Sequence, residues 1–557
     1  FNSEANSKDL ASLQTHWVDA RMRGRSGLEQ GPEWLTQRRR AEHKANLSEQ
    51  RGSSISKKGI HALVTPGLGS EGHMELALNL QSPFTMNSPV DEDLLFAARC
   101  IAIYGPQISK FRNAQRKAFL RLCRALADLD IILKARMHGD VAKVAANKSP
   151  AVMALMTVLL RWPDRSQPCL FVQGFPMIGD VEGSQVFRAL QDHGTESTST
   201  FQEFLGPTAE TWVDGLEKEQ PRWADVDDIY QQTIKEQKAG YCGKFHDRKE
   251  MDAKFGKGGW RPQKRFVITQ AGGKRRVIDN AAKSGHDDAT STWETIYTVS
   301  CEFPVVAART LLREILRVES PESNLDGAID ELLKLVPEWV DIVQFLQDMV
   351  DAYRQVPARP QHAYAMYIAI YVPGGGWRYT QMFGSPFGMA SAVLNFNRLP
   401  TLVVAFSRKS MGFLAAAYFD DNIGVDLAVA NGTGEQAMVD IFGEVGSSLS
   451  PLKALPPSPR RVFLGADVDL GQASRLGTCT IRLKEHAKED MSAMIDSIIE
   501  SGSFSSGVAS KLRGMLGWAS TGMHGKCGRG GQAPLMDRQY REKGITAIGP
   551  KQREAFE

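Results

Sequence analysis

The chain has 557 residues, 42% hydrophobic and 24% charged, enough to bury a sizeable core and to form about three or four compact units. Its formal charge of +3 is too small to imply a polyanionic partner, so a nucleic-acid reading has to rest on local clusters of Lys and Arg. Seven cysteines without a CxxC pair or a cysteine–histidine knuckle indicate neither a disulfide framework nor a zinc site, and apolar runs such as AVMALMTVLL fall far short of the roughly 20 residues that span a bilayer. The expectation is a soluble intracellular protein in a reducing compartment, nuclear or cytoplasmic, with no membrane partner. A start at Phe1 without a signal-peptide h-region is what a piece of a longer product, or a trimmed start, would show.

Residues 1–90 mix Ser, Gly, Gln and charge, and 1–60 holds 11 Lys/Arg against 7 Asp/Glu. This reads as a disordered, mildly basic arm able to hold nucleic acid through phosphates without sequence preference. Residues 91–160 place apolar side chains at helical spacing, as in LLFAARCIAIYG and AQRKAFLRLCRALADLDIILKARM. Residues 244–276 then carry 11 Lys/Arg against 3 Asp/Glu. Within them RFVITQAGGKRRVID reads as two strands around Gly272-Gly273, so Lys274, Arg275 and Arg276 project from a hairpin, either as a solvated face or as a phosphate clamp. From 341 to 470 apolar segments alternate with Gly/Pro turns in a mixed helix and strand pattern, and helical periodicity returns after 485.

Chemistry concentrates in AAAYFDDNIGVD. The flanking apolar runs can both be strands, which puts Asp420 and Asp421 at a hairpin tip. Two carboxylates a few ångströms apart repel by about 1 kcal/mol in water-like surroundings and by more when buried, unless a cation lies between them. Asp348, in FLQDMVDAYRQVP, supplies a third carboxylate. Oxygen ligands from separate strands suit Mg²⁺, which keeps waters and takes one or two carboxylates plus substrate phosphates. Ile342, Phe345, Leu346, Met349, Tyr353 and Val356 equally fit a helical stripe, so the Asp348 segment reads as strand or helix.

The set resembles reverse transcriptases: Asp348 to Tyr353, then Phe387-Gly388 in SPFGMASAVLNFNR, then Tyr418-Phe419-Asp420-Asp421, preceded by GGKRRVID and followed by SLSPLKALPPSPRRVFLGADVD. GFPMIGDVEGSQVF, FNRLP and LRGMLGWASTGMHGKCGR are similar to retroelement polymerases of the DIRS and Gypsy type. No RNase H, integrase, recombinase, protease or zinc-knuckle segment is recognisable. The resemblance implies an α+β right-hand fold with fingers at 226–340, palm at 341–470 and a helical thumb or connection at 471–557. These would follow the 1–90 arm and a helical region at 91–225.

It also implies RNA-directed DNA synthesis on an RNA template with a DNA primer and dNTPs, using two Mg²⁺ ions or Mn²⁺ in their place. Asp348, Asp420 and Asp421 would be the catalytic and metal-holding carboxylates. Lys274, Arg275, Arg276, Asp351, Ala352, Tyr353, Phe387, Gly388 and Lys453 would bind substrate, with Phe463-Leu464-Gly465 at the primer grip. In that family an aromatic at the position of Tyr353 lies under the sugar and leaves no room for a 2′-hydroxyl, the group that separates RNA from DNA precursors, so it favours DNA synthesis; the other reading of Tyr353 is a core aromatic on an amphipathic helix. Gly388 would let the backbone approach the base pair. Trp260 and Phe266 would be either stacking platforms for a single strand or core aromatics. An RNA-dependent RNA polymerase and a non-catalytic RNA-binding scaffold are the alternatives on the same motifs, and a helical interaction protein describes only 91–160.

Overall fold

The computed structural model describes residues 70–79, 90–189, 203–270, 273–322, 329–542 and 544–556. The basic arm expected at 1–90 lies almost wholly outside the described residues, apart from a helix, Ser70–Leu78, that packs against the His524–Gln532 turn. The following region is helical, as its spacing predicts. α1 (Glu92–Tyr104) starts at Asp91, whose carboxylate accepts from the Asp93 amide, and carries acidic residues in its first turn, where the helix dipole favours them. α2 (Ile108–Ala125) and the shorter helices Ala127–Lys134, Gly139–Ala145 and Pro150–Leu159 follow. Further helices are α3 (Trp223–Lys238), α4 (Phe303–Glu319), α5 (Ala390–Phe406), α6 (Thr433–Glu444), α7 (Glu485–Ser501), α8 (Ser506–Ala519) and α9 (Ala533–Tyr540).

Two sheets position the site. β1 (Cys242–His246), β2 (Gln263–Thr269) and β3 (Arg275–Asn280) enter the first, and β4 (Ile342–Asp348) enters the second. β5 (Tyr367–Val372) and β6 (Gly376–Met382) return to the first, whereas β7 (Leu414–Tyr418), β8 (Asp421–Leu427) and β9 (Leu455–Ser458) complete the second. The first has the order β1-β6-β5-β2-β3, antiparallel except where β2 meets β5; the second is antiparallel throughout, in the order β7-β8-β4-β9. β10 (Arg460–Phe463), β11 (Ala466–Asp469) and β12 (Thr480–Leu483) make a third antiparallel sheet.

The sheets do not respect two of the expected boundaries. β5 and β6 fall in the 341–470 segment yet pair with strands from before 340, and the third sheet straddles 470. Pairing between distant strands is a tertiary decision that local composition does not carry. The strand-or-helix question at Asp348 is resolved as a strand. β4 is buried at every residue through Gln347, and helical turn begins only at the 3₁₀ segment Ala352–Gln355. A short apolar run buried on both faces has no alternation to distinguish it from a helix.

The second sheet lies between two helical layers. On one face Ile342, Leu346, Leu414, Ile423 and Val425 pack with α1 and α4. On the other, Phe345, Phe413 and Ala415 pack with α2, α5 and α6. The N-terminal helices are therefore part of the sheet's own core. Arg112 of α2, fully buried, donates to Asp426 Oδ2 (2.6 Å), to the carbonyls of Met411 (3.0 Å) and Gly412 (2.9 Å), and to Thr433 Oγ1 (3.1 Å). At the far end the β10/β11 turn uses Leu464 (φ 48°) and Gly465 (φ 81°), the double positive φ of a two-residue hairpin, and Trp518 of α8 donates to the Leu464 carbonyl at 3.0 Å. None of the six described cysteines forms a disulfide, and no helix among the described residues is long and apolar enough to cross a membrane.

Candidate active site

β4 ends at Asp348, and the β7/β8 hairpin turns through Phe419 and Asp420, so Tyr418 pairs with Asp421 and Asp421 pairs with Asp348 on the neighbouring strand. Side chains alternate along a strand, which places Tyr418, Asp421 and Asp348 on one face of the sheet. Directly opposed like charges destabilise a sheet. The hairpin tip is fixed by the Met349 amide, which donates to the Asp420 carbonyl at 3.0 Å. Phe419 takes a left-handed φ of 53°, a conformation that costs a bulky residue about 1–2 kcal/mol. Its ring packs on the core and edge-on to Tyr418, with centroids 4.9 Å apart.

Three carboxylates meet here, with Lys453 and Arg276 as partial counter-charges. Burial first, then the charge of Asp348, raises the Asp420 carboxyl, while Lys453 and Arg276 pull it back. Burial and the charges of Asp420 and Asp348 push Asp421 up to about 6. Lys453, whose side chain is largely exposed, donates to both oxygens of Asp348 at 2.9 Å. Among the described residues no group of three or more His, Cys, Asp or Glu forms a ready metal cage. Mg²⁺ does not require one, since it binds through one or two carboxylates with waters and substrate phosphates. The donor chemistry fits a hard divalent cation, because repulsion among these carboxylates is what such an ion relieves.

The other residues singled out by sequence divide. Arg276 and Arg275 point to opposite faces of β3. Arg276 donates to Gln270 Oε1 (3.0 Å) and adds its positive charge near Asp420. Arg275 is turned toward α3, where it pairs with Asp228 (2.5 Å) and Asp225 (2.6 Å), so it does not face the carboxylates. Lys274 sits exposed at the hairpin turn, its carbonyl accepting from Gln270. Asp351 adopts a left-handed φ of 49°, and its charge and hydrogen bond help burial push the Tyr241 phenol up to about 12. Ala352 is buried.

Tyr353 lies between Phe387 (5.3 Å, 88°) and Phe396 (4.9 Å, 39°); burial and then the Asp420 charge push its phenol up to about 12. Gly388 has φ 130°, and a Cβ on it would come within 2.3 Å of the Asp279 carbonyl. Its need for glycine is thus met inside the protein, without invoking a bound base pair. Trp260 is a core residue: it is 1% exposed, donates to Asp252 at 2.9 Å and packs edge-on to Tyr379 at 4.7 Å. It is not a stacking platform. Phe266 is half-buried within β2.

Sequence reasoning missed the support behind these groups. Arg265 pairs with Asp279 (2.8 Å) and Glu236, and Arg354 pairs with Asp279 (2.9 Å) and Glu236 (3.0 Å), a buried cluster of two cations and two anions. Lys148, from the helical region, is fully buried and donates to Gln355 Oε1 (2.5 Å), the Gly446 carbonyl (2.8 Å) and Ser447 Oγ (2.8 Å); burial lowers its amine to about 7. Partners up to 299 residues apart in the chain leave no spacing to read.

No family model matches the sequence, and no curated protein matches it. Many solved structures match, among them the following two. One is a foamy viral protease-reverse transcriptase in complex with an RNA/DNA hybrid (TM-score 0.39, 10% identity, 61% of this chain and 36% of that one). The other is the dRH form of a foamy viral protease-reverse transcriptase with double-stranded DNA (TM-score 0.35, 10% identity, 72% of this chain). This chain spans 36% and 58% of the lengths of those two chains.

Proposed function

We propose that the protein is the RNA-directed DNA polymerase of a retroelement, extending a DNA primer on an RNA template from dNTPs. The observation that carries this reading is the meeting of Asp348 and Asp421 as cross-strand partners with Asp420 in the adjoining turn. In this reading the second sheet is the palm, the sheet built on β2 and β3 the fingers, and α7 to α9 the thumb.

Asp348 and Asp420 would hold two Mg²⁺ ions, with Asp421 shaping their field. Such ions, when bound, lower the pKa of the primer 3′-hydroxyl and offset charge as pyrophosphate leaves. Lys453 is then the exchangeable counter-ion of Asp348, and its exposed side chain is free to turn to a triphosphate. Arg276 supplies a second cation on the same side for charge-assisted bonds to phosphate. Tyr353, flanked by two aromatic rings, would sit beneath the sugar and leave no space for a 2′-hydroxyl.

Primer extension on an RNA template with Mg²⁺, supplying dNTPs or NTPs in parallel, tests the reading in the wild type and in Asp420→Asn. Extension with dNTPs should fall in the variant by more than the ~10–100-fold that loss of an outer-shell partner costs a metal site. Preference for NTPs would make the protein an RNA polymerase. RNA binding with no extension of either kind would leave a non-catalytic scaffold.

A further inference from the structure

Resting on the polymerase reading, we propose that the buried cluster of Asp279, Arg354, Arg265 and Glu236 positions the sugar gate. It fixes Phe387 against Tyr353, and so sets how well 2′-hydroxyl nucleotides are rejected.

The two rings that hold Tyr353 differ in kind. Phe396 is 1% exposed in the middle of α5, so its place follows from core packing. Phe387 is 42% exposed and lies in the loop before α5, so its place follows from its backbone. That backbone is pinned by Asp279. The Phe387 amide donates to Asp279 Oδ2 at 2.8 Å, and the Asp279 amide donates back to the Phe387 carbonyl at 3.0 Å. At Gly388 the loop approaches the Asp279 carbonyl more closely than a residue with a Cβ could.

Arg354 completes the clamp from the other side. It follows Tyr353 in the same 3₁₀ turn, and its guanidinium donates to the Ser385 carbonyl (2.7 Å), to Asp279 Oδ2 (2.9 Å) and to Glu236 Oε1 (3.1 Å). One side chain thus joins the turn that carries Tyr353 to the loop that carries Phe387. Asp279 lies three residues after Arg276 on β3, so the same anchor sets the distance from the gate to the cation near Asp420. Arg265, fully buried, holds the other oxygen of Asp279 at 2.8 Å. Two cations and two anions cancel, and since apolar residues of similar volume often replace such a buried set without loss of stability, the role assigned to this one is geometric. A lysine at 354 keeps the charge but lacks the planar fork that reaches three acceptors at once.

The test is steady-state extension by the full chain with a dNTP and the matching rNTP, read as the ratio of their kcat/KM values. In Arg354→Lys, extension with dNTPs should persist while the preference falls by about tenfold or more, mainly through a lower KM for the rNTP, the scale on which a pocket discriminates one small group. Arg538→Met removes another buried arginine, one on α9 that donates to the Ile545 and Ala547 carbonyls in the segment that follows that helix, and should destabilise the chain without moving the ratio. If Arg354→Lys does not fold, Phe387→Leu removes the ring edge while leaving the buried charges intact, and the ratio should fall there too. An unchanged ratio in folded Arg354→Lys, or in Phe387→Leu, overturns the proposal, as does an equal fall in Arg538→Met. A wild type that extends with neither nucleotide rejects the polymerase reading itself, an outcome visible before any variant is made.

Discussion

Asp421 bears a clear cost of the site's charge density. Its carboxyl rises from 3.8 to about 6 through burial and the charges of Asp420 and Asp348. The bound proton therefore stabilises the folded state fully below about pH 4, and that contribution is lost as pH rises through about 6. At pH 7.5 the ionised group is a net cost of about 1 kcal/mol, since solvent reaches the partly exposed side chain and screens it. Asp421→Asn should accordingly melt higher than the wild type at pH 7.5, with the advantage vanishing near pH 4. Thermal denaturation across that range decides it, and an equal or lower melting temperature at pH 7.5 would refute the account. Added Mg²⁺ should raise the wild-type melting temperature more than the variant's, because binding to the folded state alone is stabilising.

At the level of the strand, Gly424 explains how β4 and β8 lie so closely together. It is the register partner of Phe345, and a Cβ there would fall 2.1 Å from the Phe345 ring. The glycine lets that ring lie across the sheet and pack on Phe413 at 5.8 Å, on the face opposite the carboxylates and three residues along the strands from them. Gly424→Ala should cost about 1–3 kcal/mol by overpacking, measured by urea denaturation. Phe345→Leu in the same chain should recover part of that loss; no recovery would place the strain elsewhere. Phe419 shows the opposite choice, since a bulky residue is kept in a left-handed turn where glycine or asparagine would be unstrained.

Across the whole molecule, the N-terminal helices and the carboxylate sheet form one core. Arg112 and Asp426 are both buried and bond each other from segments 314 residues apart. Arg112→Met should destabilise by about 3–5 kcal/mol, because it strands a buried carboxylate, whereas the double variant Arg112→Met/Asp426→Leu should lose much less. Chemical denaturation of the three chains checks this. A double variant as damaged as the single one would mean that the pair is worth its hydrogen bonds to Met411, Gly412 and Thr433 rather than its charge balance. Lys148 makes the same kind of link, reaching from the helical region to both Gln355 and Ser447 on either side of the Asp348 turn.

Local chemistry made part of this protein legible. Helical spacing announced α1 and α2, the Gly272-Gly273 turn announced the β2/β3 hairpin, and the Asp-Asp pair between two apolar runs announced the β7/β8 tip, because each depends on residues near one another in the chain. Which sheet β5 and β6 join, whether β4 is strand or helix, and which of Arg275 and Arg276 faces Asp420 were decided only by the tertiary fold. The same holds for the buried charges that support the site. An arginine in β2 looks like a surface residue until the strand is placed, and only then does burial force it to find Asp279 and Glu236. Sequence carries the short-range periods and turns, whereas pairing across hundreds of residues is set by which apolar faces must be covered together.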